Sequence, residues 1–212
     1  MNEILDGYAE SATPELIARY DAIQVEQIYA PVLDLFPAGP CRIADIGAGT
    51  GRDSAWLASL GHEVLAVEPV DALRSAGMML HDAVAIEWLK DALPRLQRIV
   101  AGRRFDLLLL CAVWQHLDDN ARVRAMRRLA GLTAPGGKIV MSLRHGPGAA
   151  NRPVFPVSPD RTIENALASG LRLLRRRRAE SVQAENRTAG VHWTWLVFQS
   201  TEHGGTCGIP EI

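Results

Sequence analysis

From residue 42 onward, apolar residues fall in short continuous runs: Arg42–Ile46, Glu63–Val67, Val84–Trp88, Phe105–Cys111 and Lys138–Leu143. Runs this short without polar alternation predict strands of a sheet covered on both faces. The stretches between them, at about 52–60, 70–80, 91–101 and 119–133, carry helical spacing. Gly61 and Gly102 stand where a helix C-terminus favours glycine, and Ala134-Pro-Gly-Gly137 predicts a turn into the fifth strand. Five strand–helix alternations predict a parallel, doubly wound sheet.

The flanks read differently. In the first forty residues Thr13 is placed to cap a helix that Pro14 opens, and Leu16, Ile17, Tyr20 and Ile23 follow at helical spacing. A second helix is predicted from Pro31 to Leu35, closed by Pro37-Ala-Gly-Pro40. Toward the C-terminus, Ser158-Pro159 starts a helix that runs to about Ser169 and ends at Gly170. Leu171–Arg177 and Val191–Phe198 then read as strands, the second rich in aromatic and β-branched residues. The loop at 178–190 allows either a parallel crossover or a hairpin, and the antiparallel hairpin is the reading favoured. The expected fold is α/β, with a Rossmann-like doubly wound, mostly parallel seven-stranded sheet. Residues 1–40 form a helical segment of the same domain, 41–199 the domain itself, and 200–212 a glycine-bearing tail expected to be mobile.

Composition narrows the function. Hydrophobic residues make up 48% and charged residues 22%, which argues against wholesale disorder. The net charge of -1 gives no chain-wide attraction to nucleic acid or membrane. Arg175–Arg178 is the one basic run; strand alternation divides it between two faces and Glu180 and Glu185 dilute it, so a solvated sheet edge is expected. The longest apolar run, Leu107–Trp114, is far too short to span a bilayer, and MNEILDGYAE lacks the apolar core of a secretory signal. Cys41, Cys111 and Cys207 lie far apart, as expected in a reducing cytoplasm. The histidines show no metal-ligand spacing, so no metal is expected.

Chemistry concentrates after the first strand. Asp45-Ile-Gly47-Ala-Gly49-Thr-Gly51 leaves a strand and opens a helix, where glycines let backbone approach a ligand and helix N–H groups face an anion. Glu68 ends the second strand, where a carboxylate can accept two hydrogen bonds from a ribose diol. The nicotinamide-dinucleotide fingerprint wants a small residue at position 52, and Arg52 stands there instead.

These residues resemble the class I S-adenosylmethionine-dependent methyltransferases. DIGAGTG matches the first motif, GHEVLAVEP the second strand, LKDAL the adenine loop, FDLLLLCAVWQHL the fourth strand, and APGGKIVMSL the entry to the fifth. The resemblance implies S-adenosylmethionine as cofactor and an N-terminal helical lid, in which Tyr20 either touches the site or only fills a helix face. It places Gly47, Ala48 and Gly49 along the methionine part, with Asp45 ordering the loop and Arg52 on the cofactor's carboxylate. Glu68 would hold the ribose, Pro69 and Val70 would flank the adenine, and Asp91 and Ala92 would face its amine, unless Asp91 simply caps a helix. Cys111, Ala112 and Val113 would line the sulfonium side, Cys111 as a packed residue rather than a reactive thiol.

The acceptor side is less defined. Arg144 and His145 follow the fifth strand, where side chains at strand C-termini face the ligand crevice. Arg144 is placed to hold a carboxylate or phosphate and His145 to take a proton, unless His145 is a loop histidine bonded to backbone. Trp114 and His116 stand at the lip of the fourth strand, and Arg152 lies in the extended segment 151–156 over the crevice. The expected activity is methylation of a small molecule or peptide terminus, most readily at a carboxylate or hydroxyl oxygen. N-methylation and a non-catalytic cofactor-binding partner protein are the alternatives.

Overall fold

The computed structural model describes residues 2–149 and 151–201. Its sheet has seven strands in the order β3-β2-β1-β4-β5-β7-β6. These are β1 (Arg42–Ile46), β2 (Glu63–Val67), β3 (Ile86–Leu89), β4 (Phe105–Leu110), β5 (Thr133–His145), β6 (Leu171–Glu180) and β7 (His192–Ser200). The first five run parallel, and β7 inserts antiparallel between β5 and β6. The hairpin reading of the C-terminal strands therefore holds.

Alternate residues on each strand face opposite sides, so the sheet divides its apolar residues between two cores. Ala44, Leu65, Leu108, Ile139 and Leu196 pack on one face, with Leu129 and Ala166 of the covering helices α6 (Asp119–Leu132) and α7 (Pro159–Leu167). Ile43, Val64, Leu107, Val140 and Val197 pack on the other, with Leu57 of α4 (Arg52–Ser59) and with Val25 and Tyr29 of α3 (Val25–Tyr29). The N-terminal segment thus packs into the core of the same domain. It contains α1 (Asn2–Ser11) and α2 (Pro14–Asp21) as well, and Thr13 caps α2 by accepting from the Leu16 N–H at 3.3 Å.

Several local expectations are corrected. The helix predicted from Pro31 is only a short 3-10 turn at Leu33–Leu35. No helix occupies 91–101. Leu93, Leu96 and Ile99 are buried at helix-like spacing, but Pro94 disfavours helical backbone at Leu93, and Leu96 turns to φ 46°. Arg128 of α6 instead holds this loop through the carbonyls of Leu96 (2.9 Å) and Ile99 (3.1 Å). The 134–137 turn is absorbed into β5, whose register against β4 jumps from Phe105↔Thr133 to Leu107↔Lys138. The 178–190 loop contains a short helix, α8 (Ala184–Thr188). Ser200 belongs to β7 and is buried, and the expected tail from 202 onward lies outside the described residues.

The arginine run divides as its alternation predicts. Arg175 pairs with Asp34 of the N-terminal segment and Arg176 with Asp160 of α7 at 2.5 Å, from opposite sides of edge strand β6. No helix among the described residues is long and apolar enough to cross a membrane.

Candidate functional site

A cavity of about 910 Å³ opens at the C-terminal ends of β1, β2 and β4 and is roofed by α1 and α2. Its floor is the glycine loop. Gly47 and Ala48 donate to the Val67 carbonyl at 2.7 and 3.1 Å, which folds the loop back onto β2. Gly47 adopts φ 77° and Gly49 φ 58°, conformations that favour glycine. A Cβ on Gly47 would come within 2.5 Å of Val113 Cγ2, whereas one on Gly49 would meet nothing within 4 Å. The loop is therefore packed tightly against Val113 at Gly47 and bare at Gly49. No side chain caps α4, which begins at Arg52, so its first-turn N–H groups are open to an anion.

Glu68 lies at the end of β2, almost fully buried. Its Oε2 accepts from the Gly49 N–H at 2.8 Å and its Oε1 from the Val70 N–H at 2.7 Å. Burial pushes its carboxyl up to about 7, against the pull of those two N–H groups and Arg74. Each oxygen keeps further acceptor capacity toward a donor in the cavity. Asp91 accepts from its neighbours Ala92 (2.8 Å) and Arg98 (2.6 Å), which makes it the organiser of an irregular loop rather than a helix cap. Asp91, Ala92, Pro69 and Val70 all line the cavity.

Arg52 lines it too, braced by Asp53 Oδ1 at 2.7 Å and by the Tyr20 carbonyl at 2.9 Å. Burial opposes its charge, and Asp53 more than compensates. Asp53 also accepts from the Tyr29 hydroxyl at 2.5 Å, which ties α3 to α4. Cys111 reaches the cavity, but burial pushes its thiol up to about 12, so it is not a nucleophile at neutral pH. Ala112 and Val113 complete that wall, with the Ala112 N–H donating to Ser142 Oγ at 2.8 Å.

Three expected site residues stand elsewhere. Asp45 is buried beneath the loop rather than in the cavity, accepting from Ser54 Oγ at 2.7 Å, and burial with Asp53 nearby raises it to about 7. Trp114 is fully buried, its indole N–H donating to Thr162 Oγ1 at 3.3 Å, so it supports the lip from inside the core. His145 is not a wall residue of the cavity either. Strand alternation sends it away from Arg144; its Nε2 meets Thr194 Oγ1 at 2.9 Å and its ring stacks on His192 with centroids 4.8 Å apart. A proton-accepting role for His145 therefore has no geometric support.

His116 lines the cavity. Its Nδ1 donates to the Pro153 carbonyl at 3.3 Å, which leaves Nε2 as an acceptor for the Tyr8 hydroxyl at 3.0 Å and the Gln115 amide at 3.3 Å. Burial lowers its pKa, so the ring is neutral near pH 7. Tyr8, from α1, is not legible in the sequence as a site residue. Burial raises its phenol to about 12, and the Arg152 guanidinium lies 4.9 Å from its ring centroid. Arg152 also donates to the Tyr20 hydroxyl at 3.0 Å, and both Arg144 and Arg152 line this end of the cavity. The only sequence signal for Tyr8 was that Ile4, Leu5 and Tyr8 share one helical face.

Helix α1 is fastened at Gly7. Asn151 donates to the Gly7 carbonyl at 3.2 Å and to Ser11 Oγ at 3.0 Å, and a Cβ on Gly7 would stand 1.9 Å from the Asn151 carbonyl oxygen. Gly7→Ala favours the isolated helix by about 1 kcal/mol yet cannot seat against segment 151–156. We expect faster proteolysis within α1 at nearly unchanged melting temperature, measured by limited proteolysis beside a thermal scan.

A seven-stranded sheet of this order, with a glycine loop after β1 and a buried acid ending β2, is the class I S-adenosylmethionine-dependent methyltransferase fold. Residues 43–137 match the family described as a methyltransferase domain. An uncharacterized methyltransferase of Mycobacterium tuberculosis is 32% identical over 109 residues, covering 50% of this chain and 40% of that protein. A ubiquinone biosynthesis O-methyltransferase of Xanthomonas axonopodis is 30% identical, covering 51% of this chain and 44% of that protein. The chain thus spans less than half the length of these curated relatives. Among solved structures, the 1,6-didemethyltoxoflavin N1-methyltransferase of Burkholderia thailandensis, with S-adenosylhomocysteine bound, shares 23% identity at a TM-score of 0.62. That alignment covers 77% of this chain and 72% of the other.

Among the described residues no three His, Cys, Asp or Glu side chains are arranged to hold a metal ion.

Proposed function

We propose that this protein transfers a methyl group from S-adenosylmethionine to a small molecule, at an oxygen atom. The observation that carries this reading is one roofed cavity joining two chemically different ends. At one end lie the bare glycine loop and Glu68; at the other lie Tyr8, His116, Arg144 and Arg152. Roofing by α1 and α2 suits a small acceptor better than a nucleic-acid or protein surface. A peptide terminus small enough to enter the cavity remains within this reading.

The cofactor, when bound, supplies a methyl group on a positively charged sulfonium. The residues present fit it: Glu68 offers acceptors to the ribose diol, and Gly47–Gly49 and the α4 N-terminus receive the amino-acid end near Arg52. Pro69, Val70, Asp91 and Ala92 would hold the base, and Cys111–Val113 would line the sulfonium side. The protein's further contribution is alignment and exclusion of water, which holding two reactants in place can make worth about 7–11 kcal/mol. Two arginines at the acceptor end disfavour a protonated amine, which supports oxygen over nitrogen. The named relatives include both O- and N-methyltransferases, so likeness alone does not choose.

Cofactor binding is expected to release a proton. Glu68 sits near 7 in the free protein, and hydroxyl donors favour its ionised form. Affinity for S-adenosylhomocysteine should therefore strengthen from pH 6 to 8, with binding heats that depend on buffer ionisation enthalpy. Proton uptake would contradict this.

The activity test is incubation of the protein with deuteromethyl-labelled S-adenosylmethionine and a bacterial extract. Label in the dialysable fraction, bound through oxygen, is expected. Label confined to nucleic acid or intact protein would overturn the small-molecule reading, and label on nitrogen would make it an N-methyltransferase.

A further inference from the structure

We propose that the acceptor is a small organic acid, its carboxylate gripped between Arg144 and Arg152 while an apolar body lies against the lid. This rests on the reading above, in which cofactor and acceptor share the cavity.

The two arginines differ from six others in the chain. Arg52, Arg74, Arg103, Arg122, Arg175 and Arg176 each meet an Asp or Glu side chain. Arg144 and Arg152 form no ion pair among the described residues. Their partners are uncharged: the carbonyls of Gly146 and Pro147 and the Asn186 side chain for Arg144, and the Tyr20 hydroxyl for Arg152. Glu180 and Glu185 also line the cavity, and neither pairs with them.

Arg152 is oriented with donor capacity to spare. Its guanidinium faces the Tyr8 ring and one nitrogen is anchored on Tyr20, yet its Nε is buried without a hydrogen-bond partner. Neither contact is with a carboxylate, and the planar fork of a guanidinium matches the two oxygens of one. Burial and the nearby charge of Arg152 both work against the charge on Arg144. Two like charges facing one cavity repel each other, and an anion between them relieves that cost. Ile4, Leu5, Val154 and Trp193 supply apolar wall to the same cavity. The same pair repels amines, so it selects as well as binds. The acid serves as handle or as the methylated group; the binding chemistry is the same for both.

The test uses the full chain saturated with S-adenosylhomocysteine and a set of matched probes: benzoate, phenylacetate and phenylpropionate, each beside its primary amide. Binding is measured by calorimetry for the native protein, Arg144→Gln and Arg152→Gln. The expected result is an acid preference of about tenfold or more, lost in both variants, with S-adenosylhomocysteine affinity held within about twofold. The retained nucleoside affinity shows that the variants are folded. Equal binding of acids and amides, failure of every acid to bind, or acid binding indifferent to both substitutions would overturn the proposal. Loss of S-adenosylhomocysteine affinity in the variants would reassign the arginines to the cofactor's own carboxylate. Failure of the native protein to bind S-adenosylhomocysteine would instead remove the cofactor reading beneath it.

Discussion

Glu68→Gln is expected to weaken S-adenosylhomocysteine binding by about 10–100-fold, the equivalent of losing charge-assisted hydrogen bonds worth roughly 1.5–3 kcal/mol. The side chain is buried, and both its oxygens already order the cradle by accepting from Gly49 and Val70. An amide keeps the volume but turns one N–H donor against another. The same variant alters stability with a definite sign. A carboxyl raised from 4.5 to about 7 holds its proton more tightly in the folded chain than in the unfolded one. The stability it contributes is complete below about pH 4.5 and is lost as pH rises through about 7. Glu68→Gln should flatten that part of the pH profile of the ligand-free protein, with the remaining slope belonging in part to Asp45, which is raised in the same way. Calorimetric titration and urea unfolding at pH 5, 6, 7 and 8 measure the two effects. Unchanged affinity with a flattened stability profile would make Glu68 a buried acid with no ligand.

The second large effect is expected at Arg122. This arginine, 4% exposed, is bonded to the carbonyls of Trp114 (3.3 Å), Phe155 (3.3 Å) and Pro156 (2.8 Å), and to Asp119 at 3.0 Å. It ties segment 151–156 to the turn carrying His116, so it positions both Arg152 and the Tyr8–His116 pair without touching the cavity. Arg122→Ala leaves three carbonyls without this donor and empties the space of a long side chain, at a cost of about 3 kcal/mol. In a chain of this size that lowers the melting temperature by roughly 6–12 °C. Arg122→Lys restores the charge without the fork and should recover only part of the loss. A melting temperature within a degree of native in Arg122→Ala would show that the segment is held by other means.

What the sequence disclosed follows the range of the interactions involved. The glycine loop, Glu68 and the parallel strands were legible because each is set by residues within one strand–turn–helix unit. The Asp45–Ser54 contact is of this kind. The 91–101 segment misled because its buried leucines keep helical spacing, while Pro94 and an anchoring arginine from α6 decide the backbone. His145 misled because strand register, not proximity to the crevice, decides which side a residue faces. Arg144 points inward and its neighbour is committed to Thr194 and His192. The acceptor end was largely hidden, since its contacts join residues far apart in the chain. Tyr8 meets His116 across 108 positions, and Arg152 meets Tyr20 across 132. No local pattern encodes such pairs; they follow from how α1 and α2 pack over the sheet.

Thermal unfolding with S-adenosylmethionine, S-adenosylhomocysteine, NAD or no ligand asks whether the cavity binds an S-adenosyl nucleoside. At about 100 times the dissociation constant a ligand adds about 2.7 kcal/mol, which is on the order of 5–10 °C here. The two S-adenosyl compounds are expected to give that shift and NAD none. Stabilisation by NAD alone, or by none of the three, would contradict it.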